Sequence, residues 1–146
     1  VFPPGEYQVD RVVAGDTLLL ATRARIRLLG IDCPEPAADP QPGAGAGSEF
    51  AKHSELAQQA SDFTSRFISG GRVRVSFDRE RIDRDDRFLA YVWVGQRLLN
   101  EELLQAGLAR RYRRATLSYA MDRRFAAAEQ AARDAGRGLW SQPPAD

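Results

Sequence analysis

The stretch Arg25-Ile26-Arg27-Leu28-Leu29-Gly30-Ile31-Asp32-Cys33-Pro34-Glu35 reads as an apolar β-strand with a cation in its middle and two carboxylates, three residues apart, at its end. Side chains on a strand alternate faces, so Arg27 shares a face with Leu29 and Ile31, and its guanidinium emerges from an otherwise apolar surface. A buried, unpaired charge there costs several kcal/mol. Arg27 therefore requires an anion. A neighbouring carboxylate in a structural salt bridge and a ligand phosphate both suit its planar fork of donors, and the stretch alone leaves the two open. Pro34 keeps Cys33 out of helical geometry, so the strand runs into a turn that presents Asp32 and Glu35.

The rest of the chain alternates short strands with two kinds of helix. Residues 6–13 and 17–20 suit two strands joined by a hairpin turn at Ala14-Gly15-Asp16, and residues 25–32 a third. Residues 36–48, rich in Ala, Gly and Pro, read as a flexible loop. Leu56, Ala60, Phe63 and Phe67 recur at helical spacing over 49–68, before Gly70-Gly71. Strands follow at 72–77 and 87–94, separated by a charged segment and followed by a short return at 97–98. Asn100 is expected to cap a short helix ended by Gly107, residues 108–112 to add an edge strand, and Met121, Phe125, Ala128 and Ala132 to mark a last amphipathic helix closed by Gly136. The expected architecture is α+β and β-rich, a five-stranded barrel of OB type with a helix between strands 3 and 4 and helices at its C-terminal end, formed by 1–146 as a single domain.

Composition narrows the chemistry more than the fold. With 43% hydrophobic and 28% charged residues and a net charge of +1, neither disorder nor a strongly basic nucleic-acid binder is indicated, and no apolar run reaches the length of a membrane span. Cys33 and His53 are each the sole residue of their type. That excludes an intramolecular disulfide, and it argues against zinc sites built on Cys and His and against Ser-His-Asp or Cys-His nucleophile systems. Carboxylates, arginines and tyrosines must carry any reaction. One basic cluster, Arg110, Arg111, Arg113 and Arg114 around Tyr112 with Tyr119, Arg123 and Arg124 beyond, suits either phosphate and base contacts or a solvated face.

Several motifs now stand in a particular order: Gly15-Asp16-Thr17; Arg27 through Glu35; Asp83 through Arg87-Phe88-Leu89-Ala90-Tyr91; and Asn100-Glu101-Glu102-Leu103-Leu104 with Gly107-Leu108-Ala109. Taken together they resemble the staphylococcal (micrococcal) nuclease, or thermonuclease-like, family over nearly the whole chain. The resemblance implies an OB-fold barrel and a calcium-dependent phosphodiesterase that cleaves DNA and RNA, in single-stranded or frayed regions, to 3′-phosphate ends. It assigns Asp16 and Asp32 as carboxylate ligands of Ca²⁺, with the backbone carbonyl of Cys33. It places Arg27 and Arg87 on the scissile phosphate, Glu35 as general base, and Tyr112 and Arg84 at the bound nucleotide.

Three residues depart from the family pattern, and the 36–48 loop is longer than expected. Cys33 stands where the family often has Thr, and Asp85-Asp86 where it commonly has Tyr-Gly, which sets two negative charges beside a phosphate clamp. A catalytically silent module of the same fold, binding nucleic acid or protein, is the alternative. Such copies are expected to lose members of the set Asp16, Arg27, Asp32, Glu35 and Arg87, and all five are present. The protein is expected to be a monomer. The start at Val1 rather than Met leads to the expectation of a removed upstream segment and a secreted or cell-envelope location.

Overall fold

The computed structural model describes residues 3–35 and 49–141. The loop expected at 36–48 lies outside them. Strand β1 (Gly5–Ala14) is long enough to serve both halves of a barrel: Gly5 to Gln8 pair antiparallel with β5 (Arg72–Ser76), and Val9 to Ala14 with β2 (Thr17–Leu20). Register shifts between Val9 and Arg11 and between Val12 and Ala14 bend it from one to the other. Strand β3 (Arg25–Leu28) pairs antiparallel with β2, β6 (Phe88–Val94) pairs antiparallel with β5, and β3 and β6 close the ring as parallel neighbours. The result is the expected closed five-stranded barrel with three helices.

Leu18, Leu20, Ile26, Leu28, Val75 and Val92 are fully buried in the core. Removing apolar surface from water at roughly 25 cal/mol per Å² supplies the main driving force for this closure. Helix α1 (Glu49–Phe67) lies against the β1–β2 turn, α2 (Leu99–Gln105) packs on α3 and β6, and α3 (Tyr119–Ala135) sends Phe125 into the core, edge-on to Tyr91. A 3₁₀ turn at Gly138–Trp140 follows. No helix among the described residues is long and apolar enough to cross a membrane.

Two expectations need correction. The strand expected over 25–32 is two strands, β3 and a short β4 (Ile31–Asp32), broken at Leu29-Gly30. Gly30 has φ +83°, and a Cβ there would meet Phe125 at 2.9 Å and Leu117 at 3.0 Å, so only glycine lets the chain turn beneath α3. The expected return at 97–98 is β7 (Arg97–Leu98), antiparallel to β6, and beyond the break β4 leaves the barrel and pairs with β8 (Arg110–Arg111). Asn100, expected as a helix cap, instead sits fully buried inside α2. Its amide donates to the carbonyls of Leu29 at 2.9 Å and Ala90 at 3.1 Å, and its Oδ1 accepts from the Val92 N–H at 3.1 Å. It fastens the helix to the point where β3 and β6 diverge.

Candidate active site

The site begins at the turn between β1 and β2. Ala14 pairs with Thr17 across a two-residue turn, Gly15-Asp16. A Cβ at Gly15 would lie 2.7 Å from Cβ of Ala60 and 3.1 Å from Sγ of Cys33, so helix and turn pack closely only because position 15 is glycine. The buried Thr64 hydroxyl donates to the Gly15 carbonyl at 2.6 Å and locks α1 onto the turn. Asp16 is thereby held in the interior at 4% exposure.

Three donors converge on the Asp16 carboxylate. The Thr17 hydroxyl reaches Oδ1 at 3.0 Å, the Cys33 N–H reaches Oδ2 at 2.8 Å, and Nη1 of Arg27 lies 2.5 Å from Oδ2. The same guanidinium donates through Nη2 to Oδ1 of Asp32 at 2.9 Å. Arg27 thus finds its anion twice over, in Asp16 from the β1–β2 turn and Asp32 from β4. Its Nη1 nevertheless lacks the alignment of a hydrogen bond and remains a buried donor without an aligned acceptor. Burial first, and the Asp16 charge second, push the Cys33 thiol far above its ordinary range, so its sulfur is an inert thiol packed beside Gly15. The backbone N–H of Cys33, not its sulfur, is what bonds Asp16.

Arg87 is held from a different loop. Its Nε donates to Oδ2 of Asp83 at 2.8 Å and its own N–H to Oδ1 at 3.0 Å, while Nη2 donates to Asp85 at 3.3 Å. The Asp85 carbonyl accepts from Arg25 at 2.6 Å, which ties this loop back to β3. Burial works to raise the pKa of Asp83, but hydrogen bonds from the amides of Arg87 and Asp85 and the Arg87 charge outweigh it, and the carboxyl titrates below its ordinary value.

Arg27 and Arg87 line one cleft of about 600 Å³, with Arg84, Tyr112 and Arg114 on its walls and Asp83 and Asp85 at the Arg87 side. Asp16 and Asp32 do not line it and are joined to it through Arg27. Glu35, beyond the buried Pro34, is exposed and does not line the cleft either. The structure therefore brings Asp16, Arg27, Asp32 and Cys33 into direct contact, shares the cleft among Arg27, Arg84, Arg87 and Tyr112, and leaves Glu35 out of both groups. The ion pairs on Arg87 and the cleft position of Arg114 were not anticipated from sequence. The i,i+4 spacing of Asp83 and Arg87 in a charge-dense segment was the available signal.

A profile of the family described as Staphylococcal nuclease homologue matches residues 25–142. This chain belongs to the staphylococcal nuclease family. It is 34% identical over 139 residues to Thermonuclease of Staphylococcus hyicus, covering 92% of this chain and 75% of that protein. It is 37% identical over 107 residues to Thermonuclease of Staphylococcus intermedius, covering 71% and 58%. It is 31% identical over 112 residues to the SPbeta prophage-derived endonuclease YokF of Bacillus subtilis, covering 72% and 33%.

For a member of this family, the fit of a divalent cation rests on the donor set. Asp16 and Asp32 reach the same guanidinium, so their oxygens converge within the span of one fork, and two carboxylates against one arginine leave a negative charge unbalanced. Among the described residues no group of three or more His, Cys, Asp or Glu could hold a metal ion, so water and substrate would have to complete the coordination. Hard oxygen donors in small number, completed in that way, suit an alkaline-earth ion better than a transition metal.

Proposed function

We propose that this protein is a Ca²⁺-dependent nuclease that hydrolyses phosphodiester bonds in single-stranded or frayed DNA and RNA, leaving 3′-phosphate ends. The observation that carries this reading is that Arg27 and Arg87, brought by separate elements, face one cleft while Arg27 is bonded to the Asp16 and Asp32 carboxylates. Asp16 and Asp32, with the Cys33 carbonyl, would hold the metal. When bound, it supplies charge neutralisation and polarisation at a phosphate oxygen. Arg27 and Arg87 grip the non-bridging oxygens of the scissile phosphate and stabilise the charge that grows there. Glu35 orients the attacking water and takes its proton as the new O–P bond forms and the bond to the 5′ oxygen breaks, the leaving oxygen being protonated from solvent. Arg84 and Tyr112 contact the flanking nucleotide. The identities of the named relatives, thermonucleases and endonucleases, support the reaction class.

The test is cleavage of single-stranded DNA and RNA with added Ca²⁺, with Mg²⁺ and with chelator. Cleavage is expected with Ca²⁺ and lost with chelator, with Mg²⁺ a poor substitute because it demands tighter octahedral geometry. Full cleavage in excess chelator would refute the metal assignment. A lack of cleavage in every condition, with nucleic acid still bound, would favour the silent binding module.

A further inference from the structure

The cleft does not end at Tyr112. A second depression of about 170 Å³ adjoins it, and Gly30, Tyr112 and Ala115 wall both. Arg113 lines only the second one, with no ion-pair partner among the described residues, whereas Arg111 is bound to Asp122 at 3.0 Å. That pair neutralises the one carboxylate on the second depression. Tyr119 lies one helical turn before Asp122 on α3, 76% exposed, with Cζ of Arg123 5.7 Å from its ring centroid and an Arg123 N–H donating to its hydroxyl at 3.2 Å. Of the four large hydrophobic side chains exposed among the described residues, Ile82 and Tyr112 line the main cleft, and Tyr119 stands one helical turn from Asp122, which lines the second depression.

We propose that this path from Tyr112 through Arg113 to Tyr119 and Arg123 is a track for a single-stranded polynucleotide running on from the reacting phosphate. The assignment rests on the nuclease reading. Guanidiniums alternating with open aromatic faces match the alternation of phosphates and unpaired bases along a single strand. A duplex hides its base faces, and an acidic peptide would use the charges and leave both rings idle. The Arg123 contact holds the Tyr119 ring from one side, which leaves less side-chain freedom to be lost when a base stacks on the other.

The track is tested with the double variant Arg113→Ala/Arg123→Ala and with Tyr119→Ala, assayed on a trinucleotide and on a long single strand. Arginine removal should leave turnover and KM on the trinucleotide unchanged and raise KM on the long strand about tenfold. It should also flatten the dependence of log KM on log salt by about 1.4, two phosphate contacts at roughly 0.7 each. Tyr119→Ala should raise the long-strand KM without changing that slope. Anisotropy of a labelled single strand, measured in parallel, reads the track without cleavage, so a wild-type protein that cuts nothing refutes the nuclease reading while the binding difference still decides the track. Equal losses on both substrates, no change in strand binding, or displacement of the strand by polyglutamate as readily as by unlabelled strand would overturn the proposal.

Discussion

Nη2 of Arg87 donates to the Asp85 carboxylate at 3.3 Å, so a guanidinium facing the cleft already carries an anion of the protein's own. The Asp85 side chain is 72% exposed, whereas Asp83, bonded to Nε of the same guanidinium, is 17% exposed. Asp83 is therefore the support and Asp85 the displaceable partner. A phosphate entering the cleft competes with Asp85 for Nη2. An exposed pair of this kind is worth up to about 1 kcal/mol, a factor of about five in affinity.

Asp85→Asn is accordingly expected to lower KM for nucleic acid by about two- to fivefold at low salt, with turnover nearly unchanged, and the gap should close as ionic strength rises. Asp83→Asn should do the opposite, lowering turnover, because it loosens Nε of Arg87 and the loop amides together. Steady-state kinetics over a salt series decides. A higher KM in Asp85→Asn would make Asp85 a positioning residue like Asp83.

The two arginines should separate binding from chemistry. Arg27→Lys and Arg87→Lys keep the charge and lose the fork, so each is expected to cut turnover about a hundredfold or more while inhibitor binding weakens less. Glu35→Gln keeps size and removes the base, and should give a comparable loss with nucleotide binding intact. Turnover beside titration of a nucleotide inhibitor is the measurement. Near-normal turnover in all three variants would return Arg27 and Arg87 to the role of structural ion pairs.

Most of the barrel was legible because β3 and β5 bury alternate residues, because β2 and β6 are short apolar runs of strand length, and because Gly15-Asp16 leaves few alternatives to a hairpin turn. The break at Gly30 was not legible, since its cause is the approach of Phe125 and Leu117 from more than eighty residues away. Asn100 was misread for a similar reason. Asn near a helix start is favoured as a cap, and nothing local reveals that Leu29, Ala90 and Val92 all present backbone groups to its amide. In the candidate site, the need of Arg27 for an anion was readable from the apolar residues around it. Which anion it takes depends on a turn eleven residues earlier in the chain.

Asn100 gives the clearest stability prediction. Asn100→Ala removes the amide's partners from the Leu29 carbonyl and the Val92 N–H inside the core, while the Ala90 carbonyl keeps the Leu29 N–H at 2.9 Å, and Asn100→Leu adds volume to the same loss. At about 1 kcal/mol or more for each of the two unsatisfied groups, a destabilisation of about 2 kcal/mol or more is expected from either variant. Urea unfolding at neutral pH measures it. A change below about 1 kcal/mol in both would mean that the three hydrogen bonds do not hold α2 to the barrel.

Asp78 contributes to the acid limit of stability and Tyr91 to the alkaline one. One carboxylate oxygen of Asp78 accepts from the Tyr91 hydroxyl at 2.5 Å and the Ser118 N–H at 2.9 Å, and the other from the Arg79 N–H at 2.9 Å, which ties the end of β5 to β6 and to the start of α3. Burial favours the protonated acid, but these hydrogen bonds prevail and hold the pKa below its ordinary 3.8. A depressed carboxyl contributes its full stability above the unfolded-state value and loses it as pH falls through the folded one. Tyr91 is shifted upward, by burial first and by Asp78 second, so the unfolded chain ionises more readily and stability falls as pH rises past about 10. Asp78→Asn should therefore be less stable than the parent at pH 7, with the difference shrinking as pH drops below about 4. Tyr91→Phe should abolish this residue's share of the alkaline loss. Urea midpoints of the three proteins across the pH range test both limits, and a constant offset between Asp78→Asn and the parent down to pH 2 would show that Asp78 acts through packing alone.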